Sequence, residues 1–314
     1  MVDAWRACHA APINTFKATL HDTVRHKYPN TLVAQRLKRL GTIIDKLNRE
    51  PTMQLTTMQD IGGLRAVVQS NTHIYKLVEE YRAKKFSHEL KAVNDYIQSP
   101  KKDGYRGVHL VYKYKKFKNR NSDYDDLLLE LQIRTNLQHL WATAVETMGK
   151  VLDEPLKFIK RKGDKQWEDF FKVASAAFAQ KEGTSSVPGF EGLNKKQTYQ
   201  ALATAEQKLN ALMKMRSLHR VEELFGGKGH YYHLLLLHTG DNPVIEVHSY
   251  RRTEAKKASV DYAKAEARAA KGEKIDPVLV AVGTKELRAA YPSYFLNVDE
   301  FAKEIEEIIK ESKR

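Results

Sequence analysis

The stretch Leu127 to Arg134, Leu-Leu-Leu-Glu-Leu-Gln-Ile-Arg, leaves this chain little choice of local structure. A period of two puts Leu127, Leu129, Leu131 and Ile133 on one face of a strand and Leu128, Glu130, Gln132 and Arg134 on the other. The first face belongs to a core, and the second gathers polar groups. Thr135 follows at an N-cap position, and Leu137, Leu140, Trp141, Ala144, Val145 and Met148 recur at helical spacing. The strand therefore runs straight into an amphipathic helix. His139 and Glu146 lie two turns apart, nearly on one line of that helix.

The flanking segments extend the pattern. Ile13, Phe16, Leu20, Val24 and Tyr28 make a helical stripe over 12–28 that Pro29 ends. A second helix is expected over roughly 31–49, with Leu37, Leu40, Ile44 and Leu47 apolar and Arg36, Lys38, Arg39, Lys46 and Arg49 basic. Asp60-Ile-Gly-Gly-Leu-Arg65 enters a strand through Gly62 and Gly63; strict alternation separates Asp60 from Arg65, so both reach one site only if the glycines bend the chain. A helix over 72–86 shows Ile74, Leu77, Val78 and Tyr81 inward. Ser99 to Tyr114 begins as a loop turned by Asp103-Gly104 and becomes a strand at Val108, with Lys101, Lys102, Tyr105 and Arg106 expected to point outward. Residues 115–126 read as a charged, hairpin-like connection.

Beyond Lys150, a helix with Trp167, Phe170, Phe171, Val173 and Phe178 is expected to pack on the sheet. Gly183-Thr-Ser-Ser-Val-Pro-Gly189 has linker composition, which divides the 314 residues into 1–182, a linker 183–194, and 195–314. The last part predicts a long helix from Lys195 to Phe225, strands at Tyr232 to Leu237 and Val244 to Tyr250 joined as a hairpin, a basic helix over 253–271, a strand from Val278 to Val282 and a final helix with Phe301, Ile305, Ile308 and Ile309. That β-β-α-β-α order predicts a smaller α+β module.

With 53 Lys+Arg against 39 Asp+Glu, a net charge of +14 favours a polyanionic partner: nucleotide phosphates, RNA or DNA. The lone Cys8 excludes an intramolecular disulfide and a cysteine-rich metal site. No apolar stretch approaches bilayer-spanning length, so the expectation is a soluble, cytoplasmic protein with no membrane partner. Cations before a strand, an Asp at a glycine-rich strand entrance and a Glu on an inner strand are what a Mg²⁺-nucleotide enzyme uses: one or two carboxylates for the metal, several cations for phosphate oxygens. Spacing alone leaves this open against a buried Glu that is merely hydrogen-bonded.

Three segments in order decide more. Asp60-Ile-Gly-Gly-Leu-Arg65, Lys101-Lys-Asp-Gly-Tyr-Arg-Gly-Val-His109, and Glu130-Leu-Gln-Ile-Arg-Thr135 with Gln138-His-Leu-Trp-Ala142 and Glu146 resemble the synthetase domain of the RelA/SpoT family; Arg36-Leu-Lys38 and Lys46 fit the basic segment before its first motif. The resemblance covers roughly 30–180. It implies an α/β (α+β) nucleotidyltransferase-like mixed sheet flanked by helices, a synthetase-only member, and transfer of pyrophosphate from Mg-ATP to a ribose 3′-hydroxyl.

On that resemblance Arg36 and Arg65 would flank adenine, Lys38 and Lys46 would neutralise ATP phosphates, and Asp60 and Glu130 would hold Mg²⁺, Glu130 also taking the acceptor's proton. Tyr105 would stack the acceptor base, with Lys101, Arg106, His109, Gln132 and Arg134 around its phosphates or ribose and His139 and Glu146 as supports. Lys102-Asp103, Gly107 where a serine is common, and Glu146-Thr-Met depart from the family pattern and bear on the acceptor. The first reading is GDP or GTP as acceptor, giving an alarmone. The alternative is a toxin-type enzyme acting on the tRNA 3′ end, which the basic charge and the added C-terminal module favour, with that module, or a separate partner, as inhibitor. A binding protein without turnover is the third, and Asp60 and Glu130 argue against it.

Overall fold

The computed structural model describes residues 2–38, 40–83, 88–115, 123–153, 162–213, 215–216, 232–238, 245–281 and 292–313. By backbone proximity the chain forms two units, Met1–His139 with Phe178–Glu191, and Leu140–Ala177 with Gly192–Arg314. The chain thus changes unit inside two of its helices as well as after Glu191.

The first unit contains α1 (Val2–Cys8), α2 (Ala10–Lys27), β1 (Leu32–Leu37), α3 (Leu40–Arg49), β2 (Gly62–Val68), α4 (Asn71–Ala83), β3 (Glu89–Asp95), β4 (Val108–Lys113) and β5 (Leu128–Thr135), and β5 passes without a break into α5 (Asn136–Asp153). The strands form one mixed sheet in the order β1-β2-β5-β4-β3. β5 runs parallel to β2 and antiparallel to β4, so the strand with the most informative sequence has a neighbour on each side. Its Leu127, Leu129, Leu131 and Ile133 join Leu64, Ala66 and Val68 of β2, Val108, Leu110 and Tyr112 of β4, the α2 stripe Ile13, Phe16, Leu20 and Val24, and Ile74, Leu77, Val78 and Tyr81 of α4 in a single core. Each such side chain contributes about 1.5–3 kcal/mol when fully buried. Both strand alternation and helix periodicity are obeyed here, and α2 and α4 cover one face of the sheet.

Two expectations for this unit change. Residues 32–37 form an edge strand, not the start of a helix: β1 pairs antiparallel with β2, and the Lys38 N–H donates to the Ile61 carbonyl at 2.8 Å, so the helix begins only at Leu40. The sheet partner, absent from any local window, overrides the helical spacing of Leu37, Leu40, Ile44 and Leu47. β3 was not expected at all; its Glu-Leu-Lys-Ala-Val-Asn-Asp is an edge strand carrying charge, with an irregularity between Leu90 and Ala92.

The second unit holds the distal part of α5, most of α6 (Lys162–Glu182), α7 (Lys195–Leu209), β6 (Tyr232–His238), β7 (Ile245–Tyr250), α8 (Ala255–Ala270), β8 (Ile275–Ala281) and α9 (Pro292–Ser312). Its three strands are antiparallel in the order β7-β6-β8 with α8 on one face through Leu234, Leu236, Tyr250, Ala258 and Ala265, matching the β-β-α-β-α expectation. The hairpin turn at 239–242 lies outside the described residues. The helix expected from Lys195 to Phe225 stops at Leu209, because Asn210 takes a left-handed φ of 52° and its N–H caps the Glu206 carbonyl at 2.7 Å; residues 217–231 lie outside the described set. Trp167, Phe170 and Phe171 were expected on the sheet. Within the second unit they pack on one another, Phe170 and Phe171 also meet Phe301 of α9, and the Trp141 indole donates to the Phe171 carbonyl at 2.7 Å. The expected linker begins and ends on left-handed glycines, Gly183 and Gly189, and its Val187 is buried. No helix among the described residues is long and apolar enough to cross a membrane.

Gly62 opens β2 against this core, where a Cβ would stand 2.7 Å from Leu129 Cδ2 and 3.0 Å from Ile13 Cδ1. Gly62→Val should lower the unfolding free energy by about 1–3 kcal/mol, read by urea denaturation. Gly41→Ala, with nothing within 4 Å of the added carbon, should be neutral or stabilising by up to about 1 kcal/mol.

Candidate active site

Register decides which side chains share the other face of the first sheet. Glu130, Gln132 and Arg134 of β5 stand beside Gly63, Arg65 and Val67 of β2; Arg36 of β1 pairs with Gly63, and His109 of β4 with Gln132. Arg36, Arg65, His109, Glu130, Gln132 and Arg134 therefore occupy one face, as alternation in each strand requires. Asp60 precedes β2 and is outside its alternation, which resolves the conflict between Asp60 and Arg65 posed by strict spacing.

Four of these residues, His109, Glu130, Gln132 and Arg134, close a ring of hydrogen bonds with Tyr105 of the loop before β4. Glu130 Oε1 is bonded to His109 Nδ1 at 2.8 Å, and Glu130 Oε2 accepts from Gln132 Nε2 at 2.7 Å. Gln132 Oε1 accepts from Arg134 Nη2 at 2.8 Å, Arg134 Nε donates to the Tyr105 hydroxyl at 3.1 Å, and that hydroxyl is hydrogen-bonded to His109 Nε2. Both ring nitrogens of His109 are thereby engaged, Nδ1 with Glu130 and Nε2 with the Tyr105 hydroxyl. Glu130 is 8% exposed. Burial alone would push its carboxyl up, but the hydrogen bonds and charge of His109 and the Gln132 amide outweigh this and hold it below the ordinary carboxylate range, while the charge of Asp60 acts to raise it. An ionised, desolvated carboxylate thus sits at the centre of the face.

Asp60 has its own partners. Lys38 donates to Oδ2, and Lys46 of α3 reaches Oδ1 at 3.4 Å. Burial would raise its carboxyl, yet the two ammonium groups hold it below the usual range. The expected phosphate cations and the expected metal carboxylate thus form one cluster, brought together by β1, α3 and the approach to β2.

The loop before β4 alternates in its own way. The Tyr105 N–H donates to Asp103 Oδ1 at 2.9 Å, the Lys101 N–H to the Tyr105 carbonyl at 3.1 Å, and the Tyr96 N–H to the Gly107 carbonyl at 2.9 Å. Lys101 Nζ lies 4.4 Å from the centre of the Tyr96 ring and 5.3 Å from that of Tyr105, and Arg134 lies 5.0 Å from the Tyr105 ring on its guanidinium carbon. Gly107 has φ 149°, and a Cβ there would be 3.2 Å from Arg134 Cγ and 3.3 Å from the Tyr105 hydroxyl, so glycine lets the loop close on the ring. Arg106 is corrected: it does not point outward to an acceptor but is 1% exposed, with Nη1 donating to Glu182 Oε2 at 2.5 Å. Tyr105, also expected to point outward, is half-buried with its hydroxyl turned to His109 and Arg134, and nothing in the loop's own residues signalled either inward turn. His139 is buried and Glu146 half-buried on α5.

Two contributors were missed by sequence reasoning. Tyr96 packs edge-on against Tyr105 and His109, with ring centroids 5.8 and 5.2 Å apart. Glu182 is distant in sequence from everything it touches. A half-apolar edge strand ending in Asp-Tyr was the available sign for Tyr96; Glu182 had none.

Residues 35–149, a little over a third of the chain, match the family described as the region found in RelA / SpoT proteins. The chain is 34% identical over 133 residues to GTP pyrophosphokinase YjbM of Bacillus subtilis, covering 42% of this chain and 62% of that protein. It is 30% identical over 129 residues to GTP pyrophosphokinase YwaC of the same organism, covering 39% and 57%. The chain therefore spans less than two thirds of the length of these curated relatives. Among solved structures, small alarmone synthetase 1 from Bacillus subtilis bound to its product pppGpp is similar at 24% identity and a TM-score of 0.48, over 58% of this chain and 92% of that one.

Because the Asp60 carboxyl is depressed when folded, its pairing with Lys38 and Lys46 stabilises fully above the unfolded value of about 3.9 and is lost as pH falls through the lower folded value. In metal-free, nucleotide-free buffer, wild type should be more stable than Asp60→Asn at pH 7, and the gap should close on acidification below about pH 4. A gap independent of pH would contradict the paired carboxylate.

Proposed function

We propose that residues 35–149 transfer the β,γ-pyrophosphoryl group of ATP to the ribose 3′-hydroxyl of GDP or GTP. The observation that carries this reading is the ring that keeps Glu130 buried, ionised and tied to Tyr105. It puts a proton acceptor beside an aromatic side chain suited to stacking a base. The RelA/SpoT match and the curated names of the two relatives support the same chemistry.

In this reading the acceptor base lies on Tyr105, with Lys101, His109, Gln132 and Arg134 around its ribose and phosphates; Arg106 is removed from that set. Arg36 and Arg65 flank adenine. Lys38 and Lys46, neutralised by Asp60 in the free protein, exchange that carboxylate for phosphate oxygens. The 3′-oxygen attacks Pβ, the bond from Pβ to the α,β-bridging oxygen breaks, AMP leaves, and Glu130 takes the hydroxyl proton. Most of the acceleration comes from positioning and from fixed charges at the phosphates.

Asp60 and Glu130 suit Mg²⁺: they are hard oxygen donors, within electrostatic range of each other, and a Mg²⁺-nucleotide site takes one or two protein carboxylates. A bound Mg²⁺ would offset charge on the transferring group. His139 and Glu146, both on α5, act as supports of the site residues in this reading. The high positive charge favours a second acceptor, the tRNA 3′ end, which the same assay separates.

Full-length protein incubated with γ-labelled ATP and either GDP/GTP or bulk tRNA should place label in the guanosine nucleotide. Label in tRNA alone would replace the acceptor, and label in neither from folded protein would end the transferase reading. Glu130→Gln should reduce transfer by about 10²-fold or more while the protein remains folded, checked by circular dichroism.

A further inference from the structure

We propose that Glu182 is a positioning residue for the acceptor side of this site, acting through Arg106 and Thr135 on Tyr105 and Arg134. The inference rests on the functional reading above and deepens it.

Glu182 is the last residue of α6, where a carboxylate meets the negative end of the helix dipole and gains nothing locally. Its partners come from elsewhere in the chain. Glu182 Oε2 accepts from Arg106 Nη1 at 2.5 Å and from Gln138 Nε2 at 3.3 Å, and Oε1 accepts from the Thr135 hydroxyl. Its side chain is 8% exposed and that of Arg106 1% exposed, so each charge depends on the other for compensation. Thr184 adds a hydroxyl 3.2 Å from Arg106 Nη1.

Each of these donors adjoins a site element. Arg106 follows Tyr105, and Thr135 follows Arg134. Thr135 and Gln138 cap α5 reciprocally: the Gln138 N–H donates to the Thr135 hydroxyl at 3.3 Å and the Thr135 N–H to Gln138 Oε1 at 3.2 Å. Gln138 also reaches Asn71 at the start of α4 at 3.0 Å. One carboxylate therefore ties together the acceptor loop, the end of β5 and the start of α5. With Arg106 drawn inward, Tyr105 is left on the site side, where its hydroxyl meets His109 and Arg134. The Lys38–Asp60–Lys46 cluster is built on β1, α3 and the approach to β2, so the effect of Glu182 is confined to the acceptor.

Glu182→Gln in the full chain leaves Arg106 buried without a counter-charge. We expect the KM for GDP or GTP to rise about tenfold or more, with the KM for ATP within about twofold of wild type. Hydrogen exchange of the nucleotide-free protein should quicken in peptides spanning 99–109 and stay unchanged over 58–68. Arg106→Met/Glu182→Met removes the uncompensated charge, so it should recover the thermal stability lost in Glu182→Gln while the acceptor KM stays raised. Equal rises in both KM values, unchanged exchange at 99–109, or recovery of the acceptor KM in the double variant would overturn the proposal. Wild-type turnover in the same assay tests the functional reading separately, and the exchange measurement stands even if GDP and GTP are not the acceptors.

Discussion

A buried carboxylate is the constraint from which the first unit's design follows. Glu130 keeps its charge out of water only because each oxygen has a hydrogen-bond donor in place, and neither donor is optional when an unpaired buried charge costs several kcal/mol. One donor, Gln132, comes from the same strand two residues on. The other, His109, comes from β4 and must arrive in register; its remaining nitrogen then requires Tyr105, and Tyr105 requires the loop to fold back. Arg134 closes the circuit. Displacing any of its four strand members by one residue along the strand would send it to the opposite, apolar face.

Charge is distributed by the same logic of pairing. The net positive charge of the chain suggests cations waiting for phosphate, yet Lys38 and Lys46 already share Asp60, and Arg106 is committed to Glu182. These pairs differ in what they make available. The lysine cluster is partly exposed and can trade one anion for another, whereas the Arg106–Glu182 pair is sealed and holds a fixed position. Two halves of one site are thus built from different elements, one side adaptable and the other preorganised.

Much of this was legible locally. The polar face of β5, the inner faces of α2 and α4, the Thr135 cap and the C-terminal β-β-α-β-α order all follow from periodicity and capping chemistry, because each depends on residues a few positions apart. What failed did so where a distant partner decides. Residues 32–37 became a strand because β2 is there to pair with them, β3 because β4 offers an edge, and Arg106 turned inward because a carboxylate far along the chain waits for it. Asn210 is a different failure: a single left-handed residue stops a helix whose side-chain periodicity continues past it.

From sequence alone came the identity of the chemical groups: which carboxylates, which cations and which aromatic resemble the RelA/SpoT motifs, and which of them share a strand. Short-range geometry is enough for that, since side chains alternate along a strand whatever lies beside it. The tertiary structure alone decided which of those groups touch. Hydrogen bonds between His109, Glu130 and Tyr105, and between Arg106 and Glu182, depend on strand register and on a helix returning to the sheet, and those are settled by the packing of the whole core.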